Sequence, residues 1–306
     1  MKTSLETVVA WAKRKGFVYP NSEIYGGLAN AWDFGPYGAL LKKNIADLWV
    51  KHFTQEREDM VFMDTAIIAH PTTWQASGHL ASFADALIDD KKTGQRFRAD
   101  KLIEDYFEKK RNWLSDEELT QNLEVPNLSP ESRGNEGMRD FIVKHLPNNP
   151  ETWNPADWTE CRNFNLMLSS HLGPVANESS KVYMRPETCQ SLFTDFKAVL
   201  DTTRMRIPFG LAQVWKAFRN EITPGQFLYR TREFEQMEIE YFVPADAEKA
   251  MEIYNQWKAD CMHYWTEVIG ISPEHLRFKD HEKLAHYAAA AVDIEYLYPR
   301  GFGEIQ

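Results

Sequence analysis

The sequence predicts an α+β protein: an antiparallel β-sheet flanked by helices, with a surface insertion. Three observations predict it. From residue 164 onward, FNLMLSS, KVYMRPET, PFGLAQVWKAF, QFLYRTREF and MEIEYFVP alternate or run apolar between turns, as strands of an antiparallel sheet do. Two stretches, 39–53 and 245–268, repeat apolar residues at helical spacing. The block 126–157 is rich in Pro, Asn, Ser and Glu with weak apolar periodicity, and reads as surface insertion rather than core.

In chain order, Ser4 is placed to cap a helix to Lys15, with Leu5, Val8, Val9 and Ala12 on one face and Gly16 as its stop. Residues 17–38, FVYPNSEIYGGLANAWDFGPYG, are rich in Gly, Pro and aromatics, which make loops and a short hairpin where backbone must come close to something. The helix 39–53 carries Leu41, Ile45, Leu48 and Phe53. MVFMDTAIIAHP, residues 60–71, is apolar, has β-branched residues and ends at Pro71, so it reads as one buried strand. Residues 102–125 are charge-dense with scattered Leu, Trp and Phe, hence helical. The helix 245–268 aligns Met251, Tyr254, Trp257, Cys261, Tyr264, Trp265 and Val268, with Gly270 beyond its end. Ser272-Pro273-Glu274 starts a short helix by cap-plus-Pro logic, and VDIEYLYP, residues 292–299, is a strand. There is no internal repeat.

A length of 306 residues allows about two domains, or one large core with an insertion. With 45 acidic against 35 basic residues the formal charge is −10, so no global field draws the chain to phosphate backbones. A nucleic acid would have to meet a local patch. Residues 91–111 hold eight Lys and Arg against four Asp and Glu, and residues 197–232 hold seven against two. The three cysteines, Cys161, Cys189 and Cys261, form no CxxC pair, so neither a disulfide framework nor a zinc ribbon is readable, and reduced thiols are expected. No apolar run approaches the ~18 residues of a membrane helix, and Glu6 and Lys13 interrupt the N-terminal apolar stretch, so no membrane contact and a cytoplasmic location are expected. His281-Glu282 with His286 resembles a zincin helix, but Ala285 stands where HExxH needs its second His. There is no P-loop and no GxSxG elbow.

The informative stretch is 218–242, FRNEITPGQFLYRTREFEQMEIEYF: a strand, a turn at Ile222–Gly225, and a returning strand. Arg219, Arg230 and Arg232 are expected on the two strands and their loop, among Glu221, Glu233, Glu235, Glu238 and Glu240. Alternation places Phe234, Gln236, Glu238 and Glu240 on one face and Glu235, Met237 and Ile239 on the other. Two readings stand at this point. One is a charge-paired wet face of a hairpin. The other is a site for a ligand with phosphates, a flat base and an amine.

The segment resembles motif 2 of the class II aminoacyl-tRNA synthetases: Arg219-Asn220-Glu221 on the first strand, a loop, then Arg230 through Phe234. The resemblance narrows to the dimeric type of glycyl-tRNA synthetase. It is carried by GFVYPNSEIYGGLANAWDFGPYG (16–38), TWQASGHLASFAD (73–85), RFRADKLIE (96–104), FNLML (164–168), VYMRPETCQ (182–190), RNEITPGQFLYRTREFEQME (219–238) and VDIEYLYPRGFGEIQ (292–306). It implies a class II catalytic core over 1–306, with 104–157 inserted, and a homodimer through motif 1, the helix 39–53 and the strand ending at Pro71. It implies ATP, Mg2+, glycine and tRNA(Gly) as cofactor and substrates. The ATP site would be Arg219, on the α-phosphate, with Asn220, Glu221, Tyr229, Arg230, Thr231, Arg232, Glu233, Phe234, Glu304 and Ile305. Phe234 would stack on adenine, and Glu304 is the candidate for magnesium. Arg219 and Glu221 would be the catalytic pair. The glycine pocket would be Arg98, Glu187, Phe234, Glu235, Gln236, Met237 and Glu238, with the ammonium on Glu187 and one of Glu235 or Glu238.

The resemblance also implies that motif 3 and an anticodon-binding domain would follow Gln306, so the chain is expected to be a portion of a longer protein. Relatives often carry a zinc-binding Cys cluster after RAD. None of the three cysteines lies in 104–156, so no structural zinc is expected. Cys189 stands where Ala is common. Two other functions fit the same fold: a non-catalytic paralogue like the accessory subunit of mitochondrial DNA polymerase, and another adenylating enzyme. Retention of Arg219, Glu221, Arg230, Phe234 and Glu187 together argues against the first.

Overall fold

The computed structural model describes residues 4–123, 128–222, 224–281, 284, 287–299 and 301–306. Glu282 and His286 of the zincin-like stretch, residues 124–125 of the expected helix and Thr223 of the turn lie outside the described residues. The chain divides into two compact units, one made of Met1–Thr73 with Leu168–Gln306 and the other of Trp74–Met167.

The first unit opens with α1 (Leu5–Arg14), whose first turn is closed by the Ser4 hydroxyl accepting the Thr7 N–H at 3.3 Å. β1 (Val18–Pro20) and β2 (Trp32–Phe34) pair as an antiparallel hairpin. α2 (Pro36–Val50) starts three residues before the apolar periodicity suggests, because Pro36 at the first helical position is preset in φ and has no N–H to leave unpaired. Gly38 lets α2 lie against the backbone of Phe17, since a Cβ there would sit 1.9 Å from the Phe17 carbonyl oxygen. A π-turn, Lys51–Gln55, extends the helix.

The apolar run 60–71 is two strands rather than one. β3 (Met60–Phe62) and β4 (Ile68–Ala69) belong to different sheets. Between them Thr65 turns inward to satisfy buried polar groups, which a continuous strand would not allow. α3 (Pro71–Ala76) follows.

In the second unit, α4 (His79–Ser82) precedes β5 (Ala84–Asp89), which pairs antiparallel with β6 (Arg96–Arg98) and later with β7 (Arg162–Asn165). Helices α5 (Ala99–Arg111), α6 (Asp116–Leu123) and α7 (Gly134–His145) complete it. The block 126–157 is not purely surface: Met138, Phe141 and Ile142 of α7 are buried against Ile88, Ile103 and Phe107. Those three residues share one short helical face, and the Pro- and Asn-rich flanks dilute their periodicity. The unit encloses the expected insertion 104–157 and begins thirty residues earlier.

The first unit resumes with β8 (Ser169–His171), β9 (Lys181–Met184), α8 (Cys189–Thr203), β10 (Phe209–Phe218), β11 (Glu233–Phe242), α9 (Ala247–His263), β12 (Leu276–Asp280), β13 (Val292–Tyr298) and β14 (Gly301–Glu304). Its three-stranded sheets run β4-β9-β8, β11-β10-β3 and β12-β13-β14. Pairing is antiparallel apart from β3, which lies parallel to β10. QFLYRTREF is mostly loop: Phe227–Tyr229 is a 3-10 turn and the strand begins at Glu233. Arg219, Arg230 and Arg232 therefore all sit on the connection between β10 and β11, not on the strands. No helix among the described residues is long and apolar enough to cross a membrane.

The β10–β11 register pairs Gln213 with Glu238 and Val214 with Met237, so the two faces of the hairpin are fixed. One face, with Val214, Met237 and Ile239, packs on Trp49, Phe53, Trp257 and Tyr264 from α2 and α9. Phe53 and Tyr264 are fully buried there, each contributing on the order of 2 kcal/mol or more of apolar transfer. α8 covers the Phe209–Leu211 end of the other face with Leu192 and Val199. Farther along that same face come Glu240, Glu238, Gln236 and Phe234.

Candidate active site

A buried polar chain supports this second face from beneath. The Arg185 guanidinium, almost wholly buried, donates to the Lys216 carbonyl at 2.7 Å and to the Thr65 carbonyl and hydroxyl at 3.0 Å. The Thr65 hydroxyl donates to Gln213 Oε1 at 2.8 Å, and Gln213 Nε2 donates to the Thr188 carbonyl at 2.5 Å. The Thr188 hydroxyl then donates to Glu238 Oε2 at 2.7 Å. Each donor is aimed by the one before it, so the Glu238 carboxylate is held in one orientation by groups that bulk water does not reach.

Three carboxyls meet at this point. Cys189 Sγ donates to Glu187 Oε1 at 3.4 Å, and Gln190 Nε2 bonds the same oxygen. Ligand atoms of Cys189, Glu238 and Glu240 lie within 4.8 Å of one another. Burial first, and then the Glu187 charge, raise the Glu238 carboxyl, with the Thr188 hydrogen bond and Arg219 pulling the other way. Burial and the charges of Glu238 and Glu187 push Glu240 up to about 8. Burial likewise raises the Cys189 thiol far above its usual range, so it is not a thiolate nucleophile. The arrangement gathers acidic groups whose ionised forms burial and mutual repulsion disfavour, and a small ammonium placed among them would relieve both.

The Glu240 shift has a consequence for stability. Below about pH 4.5 its carboxyl is protonated folded or unfolded, and its ionisation contributes nothing. Between 4.5 and 8 the folded chain keeps a proton that the unfolded chain has lost, so stability falls with pH, by at most about 1.4 kcal/mol per unit for one proton. Above 8 the penalty is constant. Glu240→Gln is therefore expected to raise the Tm at pH 8, with a gap over the unaltered chain that closes by pH 5. Thermal melts across that range read it, and a gap independent of pH contradicts the assignment.

At the other end of the same strand, the Arg219 guanidinium lies over the Phe234 ring, 5.2 Å from its centroid. Arg219 Nε donates to the Pro186 carbonyl at 3.0 Å, and its backbone N–H to the Arg232 carbonyl at 2.9 Å. Arg232 Nε reaches back to the Glu221 carbonyl at 3.1 Å, and Arg230 Nε lies 4.0 Å from the Glu221 carboxylate. Asn220 sits between Arg219 and Glu221, half-buried. Tyr229 meets Tyr298 edge-on at 5.8 Å, and the Tyr229 hydroxyl lies 3.4 Å from where a Cβ on Gly303 would be. Glu304 on β14 feels Arg219: burial and Asp293 raise its carboxyl, while His281 and Arg219 lower it. Ile305 next to it is tied through backbone hydrogen bonding to Ile294. Cations, a ring face and carboxylates thus surround the Arg219 fork, as a nucleotide requires.

Not every expected residue of β11 stands on this face. Glu235 is on the opposite face, paired with Lys42 at 2.6 Å, and Met237 is packed in the core there. Glu233 pairs with Lys216 on that side as well, and the Thr231 hydroxyl is spent on the Glu233 carbonyl at 2.8 Å. A cavity of about 740 Å³ borders that opposite face, lined by Trp32, Phe34, Lys42 and Lys216 and also reached by Arg232 and Phe234 of the expected nucleotide site. Of the two carboxylates considered for an ammonium, Glu235 or Glu238, it is Glu238 that stands beside Glu187. Arg98 lies in the second unit, bound to Asp100 at 2.5 and 3.2 Å and paired with Asp85 at 3.2 Å.

Comparison of the chain with known proteins bears on this geometry. The chain is 46% identical over 307 aligned residues to a glycine–tRNA ligase of Caldanaerobacter subterraneus subsp. tengcongensis, covering all of this chain and 63% of that protein. It is 43% identical to the glycine–tRNA ligase of Chlorobaculum tepidum, over 99% of this chain and 64% of that one. With the Acetivibrio thermocellus glycine–tRNA ligase it is 45% identical, over all of this chain and 63% of that one. This chain belongs with the glycine–tRNA ligases. It spans a little under two thirds of the length of the relatives it matches. No family model matches it.

Within this chain, sequence reasoning missed four supporting residues: Thr65, Arg185, Thr188 and Gln213. Arg185 and Thr188 flank Glu187 in the quoted RPET stretch, which was a usable signal. Thr65 and Gln213 are polar residues inside apolar runs, a pattern that itself asks for a buried partner. Asn30, discussed below, sat in the Gly- and aromatic-rich stretch that called for close backbone approach.

Proposed function

We propose that this chain carries the ATP- and glycine-binding centre of a glycine–tRNA ligase, a cytoplasmic enzyme that activates glycine and transfers it to tRNA(Gly). One observation supports this most. A single strand face puts the Arg219 fork on the Phe234 ring and, two turns of the pleat along, Glu238 beside Glu187.

In this reading Phe234 stacks on adenine, and Arg219 meets the α-phosphate with Glu221, Asn220 and the residues from Tyr229 to Glu233 around it. The glycine ammonium takes the place that Glu187 and Glu238 leave for a cation. The glycine carboxylate attacks the α-phosphorus and pyrophosphate leaves, and negative charge grows on a non-bridging oxygen. Positioning and fixed positive charge lower such a barrier, so no general base is needed. A terminal hydroxyl of tRNA then attacks the glycyl carbonyl of the adenylate, forming the ester and releasing AMP. Glu304 offers a hard oxygen donor of the kind magnesium prefers and would hold the ion that accompanies ATP, while its neighbours Asp293 and Glu295 are engaged with His281 and with Arg277 and Lys279. Larger amino acids are refused by want of room beside Glu238.

Dimerisation through α2 and the run 60–71 that ends at Pro71 is part of the proposal, because α2 leaves Tyr37, Leu40, Leu41 and Leu48 exposed. The test is glycine-dependent exchange of pyrophosphate into ATP. The 306-residue chain is expected to bind ATP weakly with little exchange, and the chain extended to the length of its relatives to exchange with glycine but not alanine. Exchange that ignores the amino acid supplied would sink the reading.

A further inference from the structure

The loop joining β10 to β11 is held in a conformation its own residues do not favour. Gln226 and Phe227 are consecutive non-glycine residues with φ of 56° and 60°, in the left-handed region. Such a residue is strained and persists only where the surroundings over-determine it. The surroundings here come from far away in sequence. The Asn30 side-chain Nδ2 donates to the carbonyls of Gly225 at 3.0 Å, Phe227 at 2.8 Å and Arg230 at 2.7 Å. Its Oδ1 accepts the Trp32 indole N–H at 3.0 Å, which fixes which end of the amide faces the loop. The Trp32 ring meets Phe227 edge-on at 5.0 Å. Asn30 itself has φ of 48°, a conformation asparagine tolerates better than most residues.

We propose that Asn30 is a positioning residue for the nucleotide, clamping the loop so that Tyr229 and Arg230 stand ready beside Arg219. The proposal rests on the ATP-site reading above. An amide NH2 suits the task. It carries two hydrogens, one of them shared, to carbonyls that converge on one point. A carboxylate in its place would set oxygen against oxygen, and glycine would keep the backbone conformation while losing the clamp.

Two readouts on the 306-residue chain test it: ATP affinity by calorimetry, and amide hydrogen exchange of Gly225 and Arg230, whose N–H groups are paired across the loop. Asn30→Asp and Asn30→Gly are each expected to weaken ATP binding about tenfold, the equivalent of one or two net hydrogen bonds. They should speed exchange at 225 and 230 while leaving the β10 ladder protected. Trp32→Phe keeps an aromatic ring toward Phe227 and Lys13 and loses the bond that aims the amide, so a two- to fivefold weakening is expected even if the Asn30 variants fold poorly. Adding Gln226→Gly to Asn30→Gly removes part of the strain and should recover part of the affinity, which a general loss of stability would not. Unchanged ATP binding in Asn30→Asp, Asn30→Gly and Trp32→Phe, with Arg219→Ala weakened, overturns the clamp. Unchanged binding in Arg219→Ala overturns the ATP-site reading instead, and so does a chain with no affinity for ATP.

Discussion

Arg219→Ala is expected to lower the glycine-dependent exchange rate by about 10² to 10³-fold, the loss seen when one fixed donor to developing transition-state charge is removed. The fork's geometry sets this expectation. Its Nε is spent on the Pro186 carbonyl and its guanidinium carbon stands 5.2 Å from the centre of the Phe234 ring, so the fork is oriented before any phosphate arrives. Arg219→Lys should rescue little, because an ammonium neither lies flat on the ring nor keeps the Nε contact. The chain extended to the length of its relatives is the material for this measurement. A fall smaller than tenfold would remove Arg219 from the chemistry.

Glu238→Gln is expected to raise the KM for glycine by about 10² or more while leaving that for ATP within a factor of two. The size follows from truncating one partner of a half-buried ammonium–carboxylate pair, about 2–5 kcal/mol. The split between the two substrates distinguishes binding from folding, since a loosened sheet would weaken both. Thr188→Val is expected to act in the same direction and more weakly, because it removes the hydroxyl that orients Glu238 but not the charge. Steady-state exchange at varied glycine and fixed ATP reads both variants. Equal rises in both KM values would point to a purely structural role.

The local patterns that carried long-range meaning in the sequence were those with strict periodicity. Alternation along β11 placed Phe234, Gln236, Glu238 and Glu240 together, as the structure does, because a pleat leaves no other choice once the register holds. The same alternation separates Glu235 and Met237 from Glu238, and the resemblance-based pocket, drawn as a run of consecutive residues, cut across it. The turns were less legible. QFLYRTREF has strand-like composition, but tertiary hydrogen bonds to Asn30 hold its first half as a loop, and no local rule contains a residue two hundred positions away. The 60–71 run failed for a similar reason. Its break is made by Thr65 serving Gln213 and Arg185, partners that composition cannot supply. In α7 the buried Met138, Phe141 and Ile142 were too few to stand out against polar flanks.

The most direct measurement is a crystal structure with a non-hydrolysable glycyl-adenylate analogue, which joins both ligands in one molecule. The account places its adenine on Phe234, its phosphate mimic within about 3 Å of the Arg219 guanidinium, and its ammonium between Glu187 and Glu238. An analogue with its adenine off Phe234 and its ammonium on the Lys42–Glu235 side of the strand, away from Glu187 and Glu238, would contradict it.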